Sequence, residues 1–135
     1  MWTSASLRPF SILRFPITPR RTRNVPSVCY QVLRSCVKFP QVLILHLSRF
    51  DWLDGQVRKL KTNVSFPLEN FHIGPSNRFR LEAVVNHHGS STSGHYTSYI
   101  CKNGNWFECD DSSTFSINKS KIVTESAYIL FYSPC

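Results

Sequence analysis

With 135 residues, the chain has room for one ordinary domain but not for two. A hydrophobic share of 41% against 18% charged residues excludes a wholly disordered chain. The formal net charge of +8 is unevenly placed: residues 1–50 hold eight of the 16 Lys and Arg and no acid, whereas 51–135 hold eight bases against eight acids. The longest apolar run, Val42 to Leu45 and on past His46 to Leu47, is far short of the about 20 residues of a membrane-spanning helix. No membrane partner is expected. Five cysteines without regular spacing, and no apolar signal core at the start, argue for reduced thiols and an intracellular chain, in cytoplasm or nucleus.

Residues 1–38 carry Pro9, Pro16, Pro19 and Pro26 among scattered apolar side chains, and each proline removes a backbone donor and fixes φ. No periodic pattern survives, so an unstructured basic segment is expected there, with a boundary near 38. The same prolines spoil the amphipathic helix of a transit peptide. No aromatic residues interleave the arginines to organise a nucleic-acid surface, so no nucleic-acid partner is expected.

Gln41–Phe50 is aliphatic and short enough for a buried strand. Asp54-Gly55 signals a turn, Val57–Phe66 reads as a second strand or strand pair, and 68–78 as a loop. Phe79, Leu81, Ala83 and Val85 alternate with Arg80, Glu82, Val84 and Asn86, the clearest half-buried strand of the sequence. Gly89 to Gly94, filled with serine and threonine, reads as a flexible loop. Strands are predicted over 95–101 and 105–109 about an Asn103-Gly104 hairpin turn, and over 128–132. Residues 118–126 read as one short helix or an irregular connection.

His95 follows the glycine-rich loop, and loops on a rigid sheet are where reactive groups are accessible. Fifteen residues later, after a strand, a turn and a strand, Asp110 returns to the same end of the hairpin. A carboxylate so placed fixes the tautomer and orientation of a histidine base. The residues alone equally allow a satisfied polar pair at a strand end.

At these residues the sequence resembles the C-terminal half of the ubiquitin-specific protease family of cysteine deubiquitinases. The likeness runs through Phe39-Pro-Gln-Val-Leu-Ile-Leu-His-Leu-Ser-Arg-Phe50, where Ser48 replaces the usual lysine of the family's Leu-Lys-Arg-Phe, and Val64-Ser-Phe-Pro67. It continues through Phe79 to Gly89, Gly94-His-Tyr-Thr-Ser-Tyr99, Trp106, Asp110-Asp111 and Ala127-Tyr-Ile-Leu-Phe-Tyr132. The resemblance implies an α+β fold, the C-terminal palm portion of a papain-like cysteine protease over residues 39–135, mainly antiparallel sheet. It also implies cleavage of isopeptide bonds at the C-terminus of ubiquitin, with ubiquitin and ubiquitinated proteins as partners and no cofactor. His95 then matches the catalytic histidine and Asp110 the residue that orients it, with Asp111 adjacent in the same motif. His87, Tyr96 and Gly94 match positions along the channel for ubiquitin's tail.

The family's nucleophile sits in an N-terminal cysteine box well over a hundred residues before the strand that begins here near Gln41. Asn24-Val-Pro-Ser-Val-Cys29-Tyr30 mimics that box at three positions, but it lacks the glycine and Cys29 lies 12 residues before Gln41. Cys29 is therefore the candidate nucleophile of this chain and a poor match. Cys101 and Cys109 read as core filler, and no Cys-x-x-Cys pair offers a zinc site, so no metal is expected. The expectation is a deubiquitinase fragment, inactive alone, that lacks the N-terminal half of the catalytic domain. The alternative is a noncatalytic ubiquitin-binding or interaction module.

Overall fold

Leu43, Leu45 and Leu47 fall on one side of a strand at its two-residue period, and all three are buried. They sit on a sheet that organises the whole structure, a computed structural model that describes residues 10–16, 40–73 and 76–135. Ten strands follow in chain order: β1 (Phe10–Pro16), β2 (Val42–Ser48), β3 (Phe50–Leu53), β4 (Gln56–Lys59), β5 (Phe71–Ile73), β6 (Asn77–Gly89), β7 (Gly94–Lys102), β8 (Asn105–Asp110), β9 (Ser113–Ile117) and β10 (Ala127–Pro134). Eight form one sheet in the order β1-β2-β10-β6-β7-β8-β9, with β5 paired to β6; β3 and β4 form a separate hairpin. Only β1 with β2 is parallel. The last strand, β10, is inserted between β2 and β6, so the end of the chain completes the middle of the sheet.

One face is the core. Leu43, Leu45 and Leu47 of β2, Leu130 and Tyr132 of β10, Phe79, Leu81 and Val84 of β6, Tyr99 of β7 and Trp106 of β8 are buried there with Phe66, Ile73 and Ile122, each large side chain contributing about 1.5–3 kcal/mol. The Tyr132 hydroxyl donates to the Pro67 carbonyl at 2.8 Å, which fastens the irregular segment 60–67 across the core. On the opposite face the registers align Ile44, Phe131, Ala83, Ile100 and Phe107 in one row across five strands, none of them fully buried.

Both predicted hairpin turns form. Asp54 and Gly55, and Asn103 and Gly104, all take positive φ, the conformation that a two-residue turn matched to sheet twist requires. The strand expected over 57–66 stops at Lys59, because the carbonyls of Leu60 and Thr62 are taken by a buried guanidinium rather than by a ladder. The loop expected over 68–78 contains β5 and the start of β6. The alternation expected along β6 also slips: Phe79 and Leu81 point into the core, but Val84 and Asn86 follow instead of Ala83 and Val85. The cause is a register shift, with Tyr132 opposite Leu81 and Phe131 opposite Ala83, which leaves Glu82 as an extra residue.

β9 escaped prediction because four of its five residues are exposed and Phe115 and Ile117 are its only apolar residues; the ladder to β8 and the packing of Ile117 against the core hold it. Residues 118–126 contain a single 3-10 turn, Lys119–Lys121, capped by the Asn118 side chain, which accepts the Ser120 amide at 2.9 Å. Within the segment expected to be unstructured, residues 10–16 form β1. Residues 1–9 and 17–39, Cys29 among them, lie outside the described residues.

Arg49, between β2 and β3, is fully buried. Its Nε donates to the Ala127 carbonyl, and its Nη1 donates to the carbonyls of Leu60 at 3.1 Å and Thr62 at 2.9 Å. The backbone of Arg49 closes the same junction by accepting the Leu60 amide at 2.6 Å. One side chain thus ties β2, the start of β10 and the exit of the β3–β4 hairpin. Burial lowers its pKa, with the charge of Glu125 acting in the opposite sense. Replacing Arg49 with Leu is expected to cost about 3 kcal/mol or more, since three buried acceptors lose their donor at roughly 1 kcal/mol or more each. Urea unfolding followed by tryptophan fluorescence checks this; an unchanged midpoint would show that the guanidinium does not hold the junction.

Candidate active site

The β6–β7 hairpin closes on two glycines that face one another as its last pair. Gly89 has φ +109°, and a Cβ built there would meet the Ser93 carbonyl at 2.5 Å; a Cβ on Gly94 would collide with His87 Nε2 and lie 2.6 Å from the His88 carbonyl. Only glycine at both positions lets the strands approach this closely. Ser90–Ser93 form the loop between them, and His95 is the first side chain of β7 beyond it.

β8 returns antiparallel to β7 and ends at Asp110, one step beyond the Ser98–Cys109 pair. From there the carboxylate reaches along the sheet end to His95: Nε2 and Oδ1 are 2.5 Å apart, with both side chains about half exposed. Asp111 occupies the following turn with φ 48°. The hydrogen bond that His95 donates to Asp110, then the charge of Asp110, raise the His95 pKa against an opposing effect of burial, and Asp111 adds to the rise. Because Asp110 engages Nε2, Nδ1 is the nitrogen left for a second proton-transfer partner. Among the described residues no thiol is hydrogen-bonded to His95; Cys101 and Cys109 are half-buried and Cys135 is exposed. The Cys109 sulfur instead accepts from Thr114 Oγ1 at 3.9 Å.

His95, Asp110 and Asp111 present ligand atoms within 4.8 Å of one another, a set able to touch one divalent cation. The single short hydrogen bond and the exposure of the group suit a proton-transfer pair equally well. Opposite His95 on β6 stands His88, whose ring nitrogens meet Thr97 Oγ1 at 3.2 Å and Ser126 Oγ at 3.3 Å.

His87 is buried and Tyr96 mostly exposed, and their rings meet at a tilt of 39° with centroids 4.8 Å apart. Around them the structure adds residues that sequence reading did not single out for the site. Phe50 and Tyr128 lie 5.7 Å and 5.8 Å from the His87 ring, and His46 lies 4.7 Å from Tyr128. Tyr128 gets there because it is the extra residue of a second register shift, between the Ala127–Asn86 and Ile129–Val85 pairs, and bulges re-aim side chains in this way. The sequence signals for these two residues were only their places in the Leu-Ser-Arg-Phe and Ala-Tyr-Ile-Leu-Phe-Tyr motifs, neither of which assigned them to the site. A cavity of about 230 Å³ opens between Phe50, His87, Gly94, Tyr96 and the 90–93 loop. Lys59 donates to the His87 carbonyl at 2.5 Å. Burial, then the charges of Lys59 and His88, lower the pKa of His87.

Asp110→Asn is expected to bring the His95 pKa down toward the ordinary value of about 6.5, read by NMR titration of the imidazole. With the carboxylate present, the raised pKa stabilises the fold at acid to neutral pH, below the unfolded value, and that contribution fades as pH climbs through the folded value. An unmoved titration would mean that the pair is not electrostatically coupled. Gly94→Ala is expected to displace His87 and cost about 1–3 kcal/mol by overpacking, visible as a lower melting temperature and loss of the His87–Tyr96 ring-current shifts.

Comparison with known proteins accords with this geometry. The family model described as ubiquitin carboxyl-terminal hydrolase matches residues 20–132, beginning upstream of the Phe39 at which the motif likeness starts. Ubiquitin carboxyl-terminal hydrolase 3 of Homo sapiens is 41% identical over 107 residues, covering 70% of this chain and 21% of that protein. Ubiquitin carboxyl-terminal hydrolase 8 of Arabidopsis thaliana is 37% identical over 105 residues, covering 70% and 12%. Among solved structures, a chain of the SAGA DUB module Ubp8/Sgf11/Sus1/Sgf73 bound to monoubiquitin matches with TM-score 0.67 and 33% identity over 73% of this chain and 24% of that one. A chain of a second structure, of the SAGA Ubp8/Sgf11/Sus1/Sgf73 DUB module, matches with TM-score 0.70 and 28% identity over 91% of this chain and 32% of that one. The chain thus spans well under half of the relatives it matches. Its sheet, its histidine hairpin and these likenesses together make it a member of the ubiquitin carboxyl-terminal hydrolase family, representing the C-terminal portion of that family's papain-like domain.

Proposed function

We propose that this chain supplies the histidine half of a thiol-dependent deubiquitinase, the half that positions ubiquitin's C-terminal tail and moves the proton. The observation that carries this reading is the His95–Asp110 pair at the mouth of the glycine-pinched loop, with Nδ1 of His95 left for a thiol. His95 takes the thiol proton, the thiolate attacks the isopeptide carbonyl, and the imidazolium protonates the departing lysine amine. Water then hydrolyses the thioester with His95 as base. Asp110 holds the ring and stabilises its cation; Asp111 adds to the same field. The His95 pKa, held high by Asp110, favours the thiolate–imidazolium pair toward alkaline pH.

Tail recognition is assigned to the cleft formed by Phe50, His87, Gly94, Tyr96 and Tyr128. Glycine residues in a ligand have no side chains to clash with such closely set rings, and their backbone amides meet polar edges of His87 and the loop. The nucleophile comes from outside the described residues. A noncatalytic ubiquitin-binding module is the second reading, favoured by the intact cleft beside a histidine with no thiol partner among the described residues.

Treating the 135-residue chain with ubiquitin that bears a thiol-reactive electrophile at its C-terminus separates the two. The expected result is no adduct from the chain alone, with ubiquitin binding that weakens at least tenfold in Tyr96→Ala. An adduct that disappears in His95→Ala would instead make Cys29 the foremost nucleophile and the chain an enzyme in itself. Adduct formation unaffected by His95→Ala would overturn the assignment of His95 as the base.

A further inference from the structure

The four residues between the facing glycines, Ser90-Ser91-Thr92-Ser93, all carry exposed hydroxyls. On one side of this loop lies the aromatic cleft. On the other lies a larger cavity of about 500 Å³, lined by Lys59, Lys61, His88, Ser90, Ser93 and Glu125. Two ammonium groups face it against one carboxylate, and Arg49 stands behind them. Positive charge there is undercompensated: burial, then Arg49 and Lys61, lower the pKa of Lys59, with Glu125 opposing. A group that gains from a nearby dianion is therefore already in place.

Ser90 is the hydroxyl best built to carry that dianion. Its Oγ accepts the amides of Thr92 at 3.3 Å and Ser93 at 3.2 Å, while its own amide donates to the Ser93 carbonyl at 2.8 Å. Two backbone N–H groups thus already converge on the oxygen to which a phosphate would attach, and Ser90 itself lines the cavity with the lysines. Ser93 also lines the cavity, but its hydroxyl gathers no such amide pair.

We propose that Ser90 is a phosphorylation site and that the Lys59–Lys61 cavity is the receptor for its phosphate. A serine/threonine kinase transfers the γ-phosphoryl group of ATP: the bond from phosphorus to the ADP oxygen breaks as the bond to Ser90 Oγ forms, ADP leaves, and the hydroxyl proton passes to the kinase's base. The phosphoserine brings a charge of about −1.5 to −2 at neutral pH and forms charge-assisted bonds with the two loop amides and the lysines. It draws the loop toward the basic cavity. Because the same residues wall the aromatic cleft, the modification sets the width of that cleft. The phosphate site rests on the loop and the lysines and stands whether or not the chain cleaves ubiquitin.

Two measurements on the full 135-residue chain test this. The first is mass-spectrometric mapping of the chain expressed in eukaryotic cells, with Ser90→Ala as control; phosphate on Ser90 is expected, and a loop that is unmodified or modified only at another hydroxyl would overturn the assignment. The second is a ³¹P NMR titration of the chain made with phosphoserine at position 90. The second phosphate pKa is expected about half a unit or more below that of the same chain in urea, with most of the difference lost in Lys61→Gln. Among the described residues the Lys61 side chain carries no hydrogen bond, so this variant tests the cavity without touching the fold. Equal pKa values in the folded and urea-unfolded chains would overturn the receptor.

Discussion

The buried guanidinium of Arg49 is the constraint around which this half-domain is arranged. It comes at the end of β2, where an aliphatic strand would otherwise run on, and it turns the chain by offering donors in several directions at once. The carbonyls of Leu60, Thr62 and Ala127 accept them. Acceptance at Ala127 aligns the start of β10 between β2 and β6. Acceptance at Leu60 and Thr62 ends β4 and sends 60–67 across the core instead of into a ladder. The arginine is held by carbonyls at Nε and Nη1 rather than by a carboxylate, its Nη2 buried without a partner, and its charge contributes to the positive field behind Lys59. One residue thereby couples the sheet topology to the electrostatics near the histidine hairpin.

Close backbone approach is the second device. The glycine pair at the end of the β6–β7 hairpin brings the strands together without side chains between them, which seats His87 under the loop and His95 at its rim. The register shift at Tyr128 then turns an aromatic ring from β10 toward His87. The cleft and the proton-transfer pair are separate constructions that share a single loop. A movement of Ser90–Ser93 reaches both, which suits a loop whose hydroxyls and amides are mostly bonded among themselves.

Much of the site was legible in advance because it depends on local rules. Asn103-Gly104 adopts the turn its residues favour, and a strand–turn–strand of fixed length returned Asp110 to His95. The strand at β2 followed from its aliphatic run and that at β6 from apolar alternation, and the segments of β7, β8 and β10 were also read as strands. What was not legible had no periodic signal: β9 is a polar edge strand, β5 is three residues long, and the phase slip within β6 is set by its partner strand. Lys59, Phe50 and Tyr128 join the site through contacts of long sequence separation.

The sequence by itself determined most of the strand-forming segments, the turns and the hairpin that pairs His95 with Asp110, because side-chain alternation and glycine conformational freedom act over a few residues. It also carried the family motifs, whose identity depends on residue type and order. Only the tertiary structure decided that β10 lies in the middle of the sheet and that Arg49 ends the second predicted strand. It also decided that a basic cavity and an aromatic cleft flank opposite sides of one serine-rich loop. Those outcomes depend on which distant carbonyl, ring or ammonium group arrives beside a given side chain, and that is fixed by packing across the whole sheet.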